Sequence, residues 1–366
     1  MKSYTFYMSK QNLVIYQVFV RNHSKEGTFN KLIDDLDRIK DLGIDIIYLL
    51  PIHEIGILNR KGTYGSPYAI KDYFSISKDL GTLDDFKKLV DEVHKRGMRI
   101  IMDMVFNHTA PDNPLTKEHP EYYFYRNGKL ANQIGDWSDV VDLETKREDT
   151  QKYLLTVLKY WRNLGVDGYR FDVASFIPLE FFKKVREALG NDVFLLAECI
   201  EDSFGQYLLS INHVYTNDLD LSKYFDALYN YNYMQEMTDY IEYKIPLDKL
   251  INRIKADNQN ICRINCLENH DRDRIASFFK DIKTANEWAR FSFDLKGIAF
   301  IYAGQEYGIK HKPELFEKDP IVWPKDNDTY AFYKQLIKEK HQQKDRENDI
   351  SIRNGKVVLN GKIYNL

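Results

Sequence analysis

One repeated unit constrains this chain more than anything else: an amphipathic helix, a glycine, an apolar run, then a polar residue or proline. Clear copies place Gly43 before IDIIYLLP, Gly97 before MRIIMDMVFNH, Gly165 before VDGYRFD, Gly190 before NDVFLLAE and Gly297 before IAFIYAGQE. Glycine suits the left-handed position that ends a helix, so each copy reads as helix, cap and strand. The helices agree: Leu32, Leu36, Ile39 and Leu42 recur at helical spacing, and Thr82 is placed to cap a helix carrying Phe86, Leu89, Val90 and Val93. The runs are continuously apolar rather than alternating, as parallel strands buried on both faces are. VIYQVFV (14–20), a weaker run around Tyr224–Tyr229 and ICRINCLENHD (261–271) bring the candidate strands to eight.

Eight such units predict an α/β fold, a (β/α)8 TIM barrel, rather than an open doubly wound sheet. No GxGxxG follows the first run, which also speaks against a dinucleotide-binding sheet. The barrel is expected over residues 1–106 and 145–340. Residues 107–144, long, polar and aromatic, read as a short excursion domain after the third strand. Residues 341–366 carry Asn-Gly turns at Asn354-Gly355 and Asn360-Gly361 and predict a β-meander, a vestigial or truncated C-terminal sheet. If truncated, its edge should be sticky or loosely ordered.

Composition narrows the class of function. Among 366 residues, 52 Lys and Arg face 55 Asp and Glu, a net charge of −3, so there is no basic excess to engage a nucleic acid. No run approaches the roughly 20 apolar residues of a membrane span, and the N-terminus lacks the pattern of a signal peptide. The three cysteines are Cys199, Cys262 and Cys266. The last two share one strand-like run, roughly 13 Å apart and too far for a disulfide. No zinc pattern occurs. A cytoplasmic protein with no nucleic-acid or membrane partner is expected; its oligomeric state is not written in the sequence. The aromatic content of 14% fits either a surface that stacks on sugar rings or an aromatic core.

In a TIM barrel the active site lies at the C-terminal ends of the strands. Here those ends carry Asp103 with Asn107 and His108, then Arg170 with Asp172, then Glu198, then Asn269, His270 and Asp271. A charge closing an apolar strand is costly to bury without a partner or a task. Two chemistries use converging carboxylates in this way: glycoside cleavage and Mg²⁺-assisted proton abstraction, the latter in a metal-dependent lyase. Spacing leaves both open.

The flanking residues are more specific. MDMVFNH (102–108), GYRFDVA (168–174), AECIE (197–201) and LENHD (267–271) resemble, in order, the four conserved regions of the α-amylase family, glycoside hydrolase family 13. GSPYAIKDY (65–73) resembles that family's strand-2 loop and VDLET (141–145) its short fifth motif, so the resemblance runs from Tyr16 to about Lys340. It implies a retaining hydrolase of α-glucosidic bonds acting on malto- or isomalto-oligosaccharides. Asp172 would be the nucleophile, Glu198 the general acid/base and Asp271 the stabiliser of the transition state. Tyr68, His108, Arg170 and His270 would bind substrate, Arg170 also keeping Asp172 ionised, while Asp103 would orient Arg170 or a histidine. Glu198 would draw a raised pKa from its apolar approach FLLA. Tyr68 and the HPEYYFY run (119–125) would face sugar, and Cys199 would be a packed small residue.

The family needs no cofactor for chemistry. Asn107 and Asp142 match its structural Ca²⁺ position, but the usual lysine-histidine pair after the nucleophile is Ser175-Phe176 here, which weakens both calcium binding and polysaccharide binding. Val173 resembles α-1,6-acting members. A transglycosylase and a catalytically silent sugar-binding relative are the alternatives that the resemblance leaves.

Overall fold

Apolar runs with no polar face can only be satisfied by cover on both sides, and the chain supplies it by closing them into a ring with helices outside. The computed structural model describes residues 10–135, 137–257, 260–325 and 328–366. Residues 1–9, included above in the start of the chain and of the barrel, lie outside the described residues. Eight parallel strands form a closed barrel: β1 (Val14–Val18), β2 (Ile46–Leu49), β3 (Arg99–Met104), β4 (Gly168–Phe171), β5 (Phe194–Ala197), β6 (Ala227–Tyr229), β7 (Arg263–Asn265) and β8 (Ile298–Tyr302). Each strand pairs with its sequence neighbours and β8 closes on β1.

The longer helices are α1 (Phe29–Leu42), α2 (Leu83–Lys95), α3 (Glu148–Asn163), α4 (Leu179–Leu189), α5 (Asp202–Ser210), α6 (Tyr231–Ile241), α7 (Leu247–Ala256), α8 (Ile282–Asp294) and α9 (Asp328–His341). Helix α1 buries Leu32, Leu36, Ile39 and Leu42 completely, each contributing about 1.5–3 kcal/mol. It ends at Gly43, whose φ of 106° is open to glycine and strained for other residues. Thr82 and Asp85 form a reciprocal capping box at the start of α2: Asp85 N–H donates to Thr82 Oγ1 at 3.1 Å and Thr82 N–H to Asp85 Oδ2 at 2.9 Å.

The excursion after β3 leaves and returns through a short antiparallel pair, His108–Thr109 against Val141–Asp142. Its aromatic run is divided: Tyr122 and Tyr123 are buried while Tyr125 is exposed, and Tyr123 and Thr109 share a hydroxyl hydrogen bond of 3.0 Å. None of the HPEYYFY residues lines the large cleft at the barrel mouth, which takes Trp137 from further along the same segment. Tyr122 and Tyr123 therefore serve packing rather than that cleft.

The last strands, Ile350–Arg353, Lys356–Leu359 and Lys362–Tyr364, form the expected antiparallel meander. They dock on the end of α8, where Asp294 accepts from Lys362 Nζ at 2.9 Å, from Gln343 Nε2 at 2.9 Å and from the Tyr364 hydroxyl. The three cysteines are free. Among the described residues no helix is long and apolar enough to cross a membrane.

Candidate active site

Strand alternation explains the centre of the site. Arg170 and Asp172 lie two apart on one chain and so share a face, and Arg170 stands in register with Asp103 on the neighbouring strand β3. The ladder continues one residue past β4 and β5: Asp172 N–H donates to Met104 O at 3.0 Å and Glu198 N–H to Phe171 O at 3.1 Å. That places both carboxyls at the mouth with their backbones held by the sheet.

Arg170 is fully buried beneath three carboxylates. Its Nη1 donates to Asp103 Oδ1 and to Asp172 Oδ1, each at 2.8 Å, and its Nη2 lies 2.8 Å from Glu198 Oε1. One cation among three anions leaves the group short of positive charge. Burial and the neighbouring Glu198 push the Asp172 carboxyl well above the usual carboxylate range, and the pull of Arg170 does not reverse it. The Asp172 carboxyl is thus raised despite Arg170, where the sequence led one to expect Arg170 to hold it ionised.

Glu198 is held by donors from three directions. Besides Arg170, the Tyr231 hydroxyl donates to Oε1 and Val173 N–H donates to Oε2, each at 2.7 Å. Val173 makes its bond from a left-handed backbone, φ 37° and ψ 49°. That conformation costs a β-branched residue about 1–3 kcal/mol, a strain stored directly after Asp172.

On the other side of the cleft a chain of hydrogen bonds fixes the rim. Gln17 Nε2 lies 3.1 Å from His270 Nδ1, and His270 Nε2 is 2.6 Å from the Tyr68 hydroxyl and 3.1 Å from Asp271 Oδ2. With Gln17 donating to Nδ1, His270 carries its proton on Nε2 and donates it outward. The Tyr68 hydroxyl then donates to Asp103 Oδ2 at 3.0 Å, beside that of Tyr48 at 2.6 Å. Burial lowers His270 and His108 to about 4, so both rings are neutral at ordinary pH. Asn269 accepts the N–H groups of Asp271 and Arg272, each at 3.0 Å, which turns the Asp271 side chain, 45% exposed, into the mouth. Tyr68, His108, Asp172, Glu198, His270 and Asp271 therefore share one cleft of about 300 Å³. Arg170 lies beneath it.

The α-amylase catalytic-domain family model matches residues 14–137 and 133–354 of this chain. The chain belongs to the α-amylase family. It is 29% identical over 345 residues to an intracellular maltogenic amylase of Bacillus subtilis, covering 87% of this chain and 55% of that protein. The chain thus spans about half the length of that curated relative. Among solved structures it is similar to an α-amylase from Lactobacillus plantarum, with a TM-score of 0.91 and 38% identity over 95% of this chain and 85% of the other. It is also similar to a maltogenic α-amylase, AmyB, from Thermotoga neapolitana, with a TM-score of 0.83 and 31% identity over 96% and 83% of the two chains.

Asn107 and Asp142 stand apart from the cleft, beside a small cavity of about 20 Å³ that Phe176 also lines. Asp142 Oδ2 accepts Gln133 N–H at 2.6 Å, while Oδ1 faces the amide nitrogens of Asn132 (3.2 Å) and Asn107 (3.4 Å). Burial pushes the Asp142 carboxyl up to about 6. Calcium needs several free oxygen ligands, and here the Asp142 carboxylate is filled by N–H donors, with Asn107 turning its NH₂ rather than its carbonyl inward. The donor set does not fit the ion. Incubation with EDTA followed by gel filtration is expected to leave Tm and turnover unchanged; a fall restored by Ca²⁺ would contradict the fit.

Tyr231, Gln17 and Tyr48 complete the site without having stood out in the sequence. Each touches a site residue from a different strand or helix, and only Tyr231, just past β6, occupied a position where a barrel function is expected. Tyr231→Phe is expected to lower kcat about 10- to 100-fold with KM little changed, since one hydrogen bond to a charged group is lost, about 1.5–3 kcal/mol. Steady-state kinetics on an aryl α-glucoside would measure it.

Proposed function

We propose that this chain hydrolyses α-glucosidic bonds of short malto- or isomalto-oligosaccharides with retention of configuration. The observation that carries this reading is that the single guanidinium of Arg170 spans Asp172 and Glu198 at the base of the cleft. Acceptors on neighbouring nitrogens of one guanidinium are close together, and retention needs carboxyls about 5 Å apart against about 6.5–9.5 Å for inversion. In this mechanism Glu198 protonates the leaving oxygen while Asp172 attacks the anomeric carbon. A water that Glu198 deprotonates then releases the sugar from Asp172. Another sugar in place of that water gives transglycosylation by the same steps.

Asp271 is placed for the hydroxyls of the ring whose bond breaks, the neutral His108 and His270 face the same space, and Tyr68 offers a surface for the ring to lie on. The same reading takes residues 107–144 as a small domain over the mouth of a barrel made by 1–106 and 145–340. It takes 341–366 as a C-terminal β-meander and the cytoplasm as the working compartment. Short α-glucans rather than polymer fit the loss of the lysine at Ser175 and the modest cleft. Proton NMR of the first products from maltotriose and isomaltotriose is expected to show the α-anomer, mutarotating later to the mixture. A β-anomer at early times would reject the double displacement, and no cleavage of either sugar would reject the reading.

A further inference from the structure

One wall of the cleft is closed by three loops fastened to one another. In the barrel order β1 stands diametrically across from β5, which leads to Glu198, and the loops after β2 and β8 flank β1. Lys61, on the loop after β2, pairs with Asp139 of the excursion at 2.7 Å, and Asn59 Nδ2 donates to Ser138 O at 3.0 Å. The same loop is tied to the one after β8: Tyr64 N–H donates to Phe316 O at 3.0 Å and Thr63 N–H to Glu317 Oε1 at 2.8 Å. Arg21, buried just after β1, donates through Nη1 to Gly65 O and Leu315 O, each at 3.1 Å, so both loops hang on one guanidinium. At Gly62 the loops run so close that a Cβ would meet Phe316 O at 2.8 Å.

Lys61, Asp139, Leu315 and Phe316 all line the cleft that holds Asp172 and Glu198. Asp139 is nearly buried in the wall, while Lys61 is 38% exposed. In the reaction proposed above, the leaving group departs on the Glu198 side, so the ring that Asp172 attacks extends toward the opposite, closed side. A long chain bound by its interior would have to continue through that wall. The pair that closes it is an ammonium and a carboxylate, which donate to and accept from hydroxyls. Free hydroxyls at the ring's far edge are what a chain end has and an interior ring, linked there to its neighbour, lacks.

We propose that Lys61 and Asp139 make this an exo-acting site, closing the cleft to interior rings and binding the non-reducing terminal hydroxyls of an α-glucan. The inference rests on the hydrolase reading and specifies the substrate's end. It is tested with maltoheptaose and with the same chain whose terminal 4- and 6-hydroxyls are bridged by an acetal, both products followed by chromatography. The wild type is expected to shorten the free chain from its end and to cleave the blocked chain at least 100-fold more slowly. In the Lys61→Ala, Asp139→Ala double variant the ratio of blocked to free cleavage is expected to rise at least tenfold, with circular dichroism and Tm reporting that the fold is kept. Because the readout is a ratio within one protein, partial loss of stability does not mimic it. Comparable wild-type rates on both chains, or a double variant that keeps the wild-type ratio, would overturn the exo assignment alone. Failure to cleave either chain would instead overturn the hydrolase reading on which it rests.

Discussion

Asp172→Asn abolishes turnover while the fold keeps or gains stability: this is the expected result at the centre of the site. Loss of an attacking carboxylate removes the covalent route entirely, so kcat should fall about 10⁴-fold or more. Stability moves the other way. Burial and Glu198 raise the Asp172 carboxyl, so its charged form is destabilised in the folded chain. For a raised carboxyl, the folded state holds the proton longer than the unfolded state, and wild-type stability declines as pH rises from about 4 through the folded titration. The asparagine keeps the acceptor for Arg170 Nη1 and carries no charge to bury. Thermal melts across pH 4–8 should show the variant equal to the wild type at the acid end and above it at neutral pH. A variant that melts well below the wild type at pH 7, or retains hydrolysis, would contradict the assignment.

Arg170→Met is expected to cost both activity and fold. The guanidinium is the shared partner of Asp103, Asp172 and Glu198, and Arg170 and Asp103 are both fully buried. Removing one member of a buried ionic group leaves the others uncompensated, a loss of about 3–5 kcal/mol. The deficit is electrostatic and therefore pH-dependent. Without the cation the folded carboxyls bind protons more readily than the unfolded ones, so the loss is greatest at neutral pH and shrinks as pH falls toward 4. Denaturant melts at two pH values measure this. A deficit that does not change with pH would point to packing rather than charge. Arg170→Lys is expected to recover little, since a single ammonium cannot span Asp172 and Glu198 as neighbouring nitrogens do.

The barrel was legible because burial on both faces writes each strand as an unbroken apolar run, and because glycine marks helix ends such as Gly43. The weaker run, around Tyr224–Tyr229, became one of the two shortest barrel strands, Ala227–Tyr229. Asp172, Glu198 and Asp271 stood out by ending apolar runs with a charge, a cost visible in one dimension. Tyr231, Gln17 and Tyr48 did not, since each is an ordinary residue until the fold brings it to a partner, Gln17 meeting His270 across 253 positions. The aromatic run 119–125 misled for the same reason: a row of rings reads alike whether it faces sugar or fills the inside of a small excursion.

The charge balance of the pair shows the division most clearly. The strand GYRF before Asp172 does not show that burial and a neighbouring Glu198 will raise the carboxyl that follows it. The succession of strands and helices and the shared face of Arg170 and Asp172 follow from residue type and a period of two along the strand, while the roles of the acids came from the resemblance of their flanking motifs. How far the Asp172 carboxyl is raised, whether Asp142 has oxygens to spare for a cation, and where the cleft is walled off by Lys61 and Asp139 depend on groups arriving from remote segments. Electrostatics and hydrogen bonding act over a few ångströms in space, and only the closed barrel decides which residues come that near.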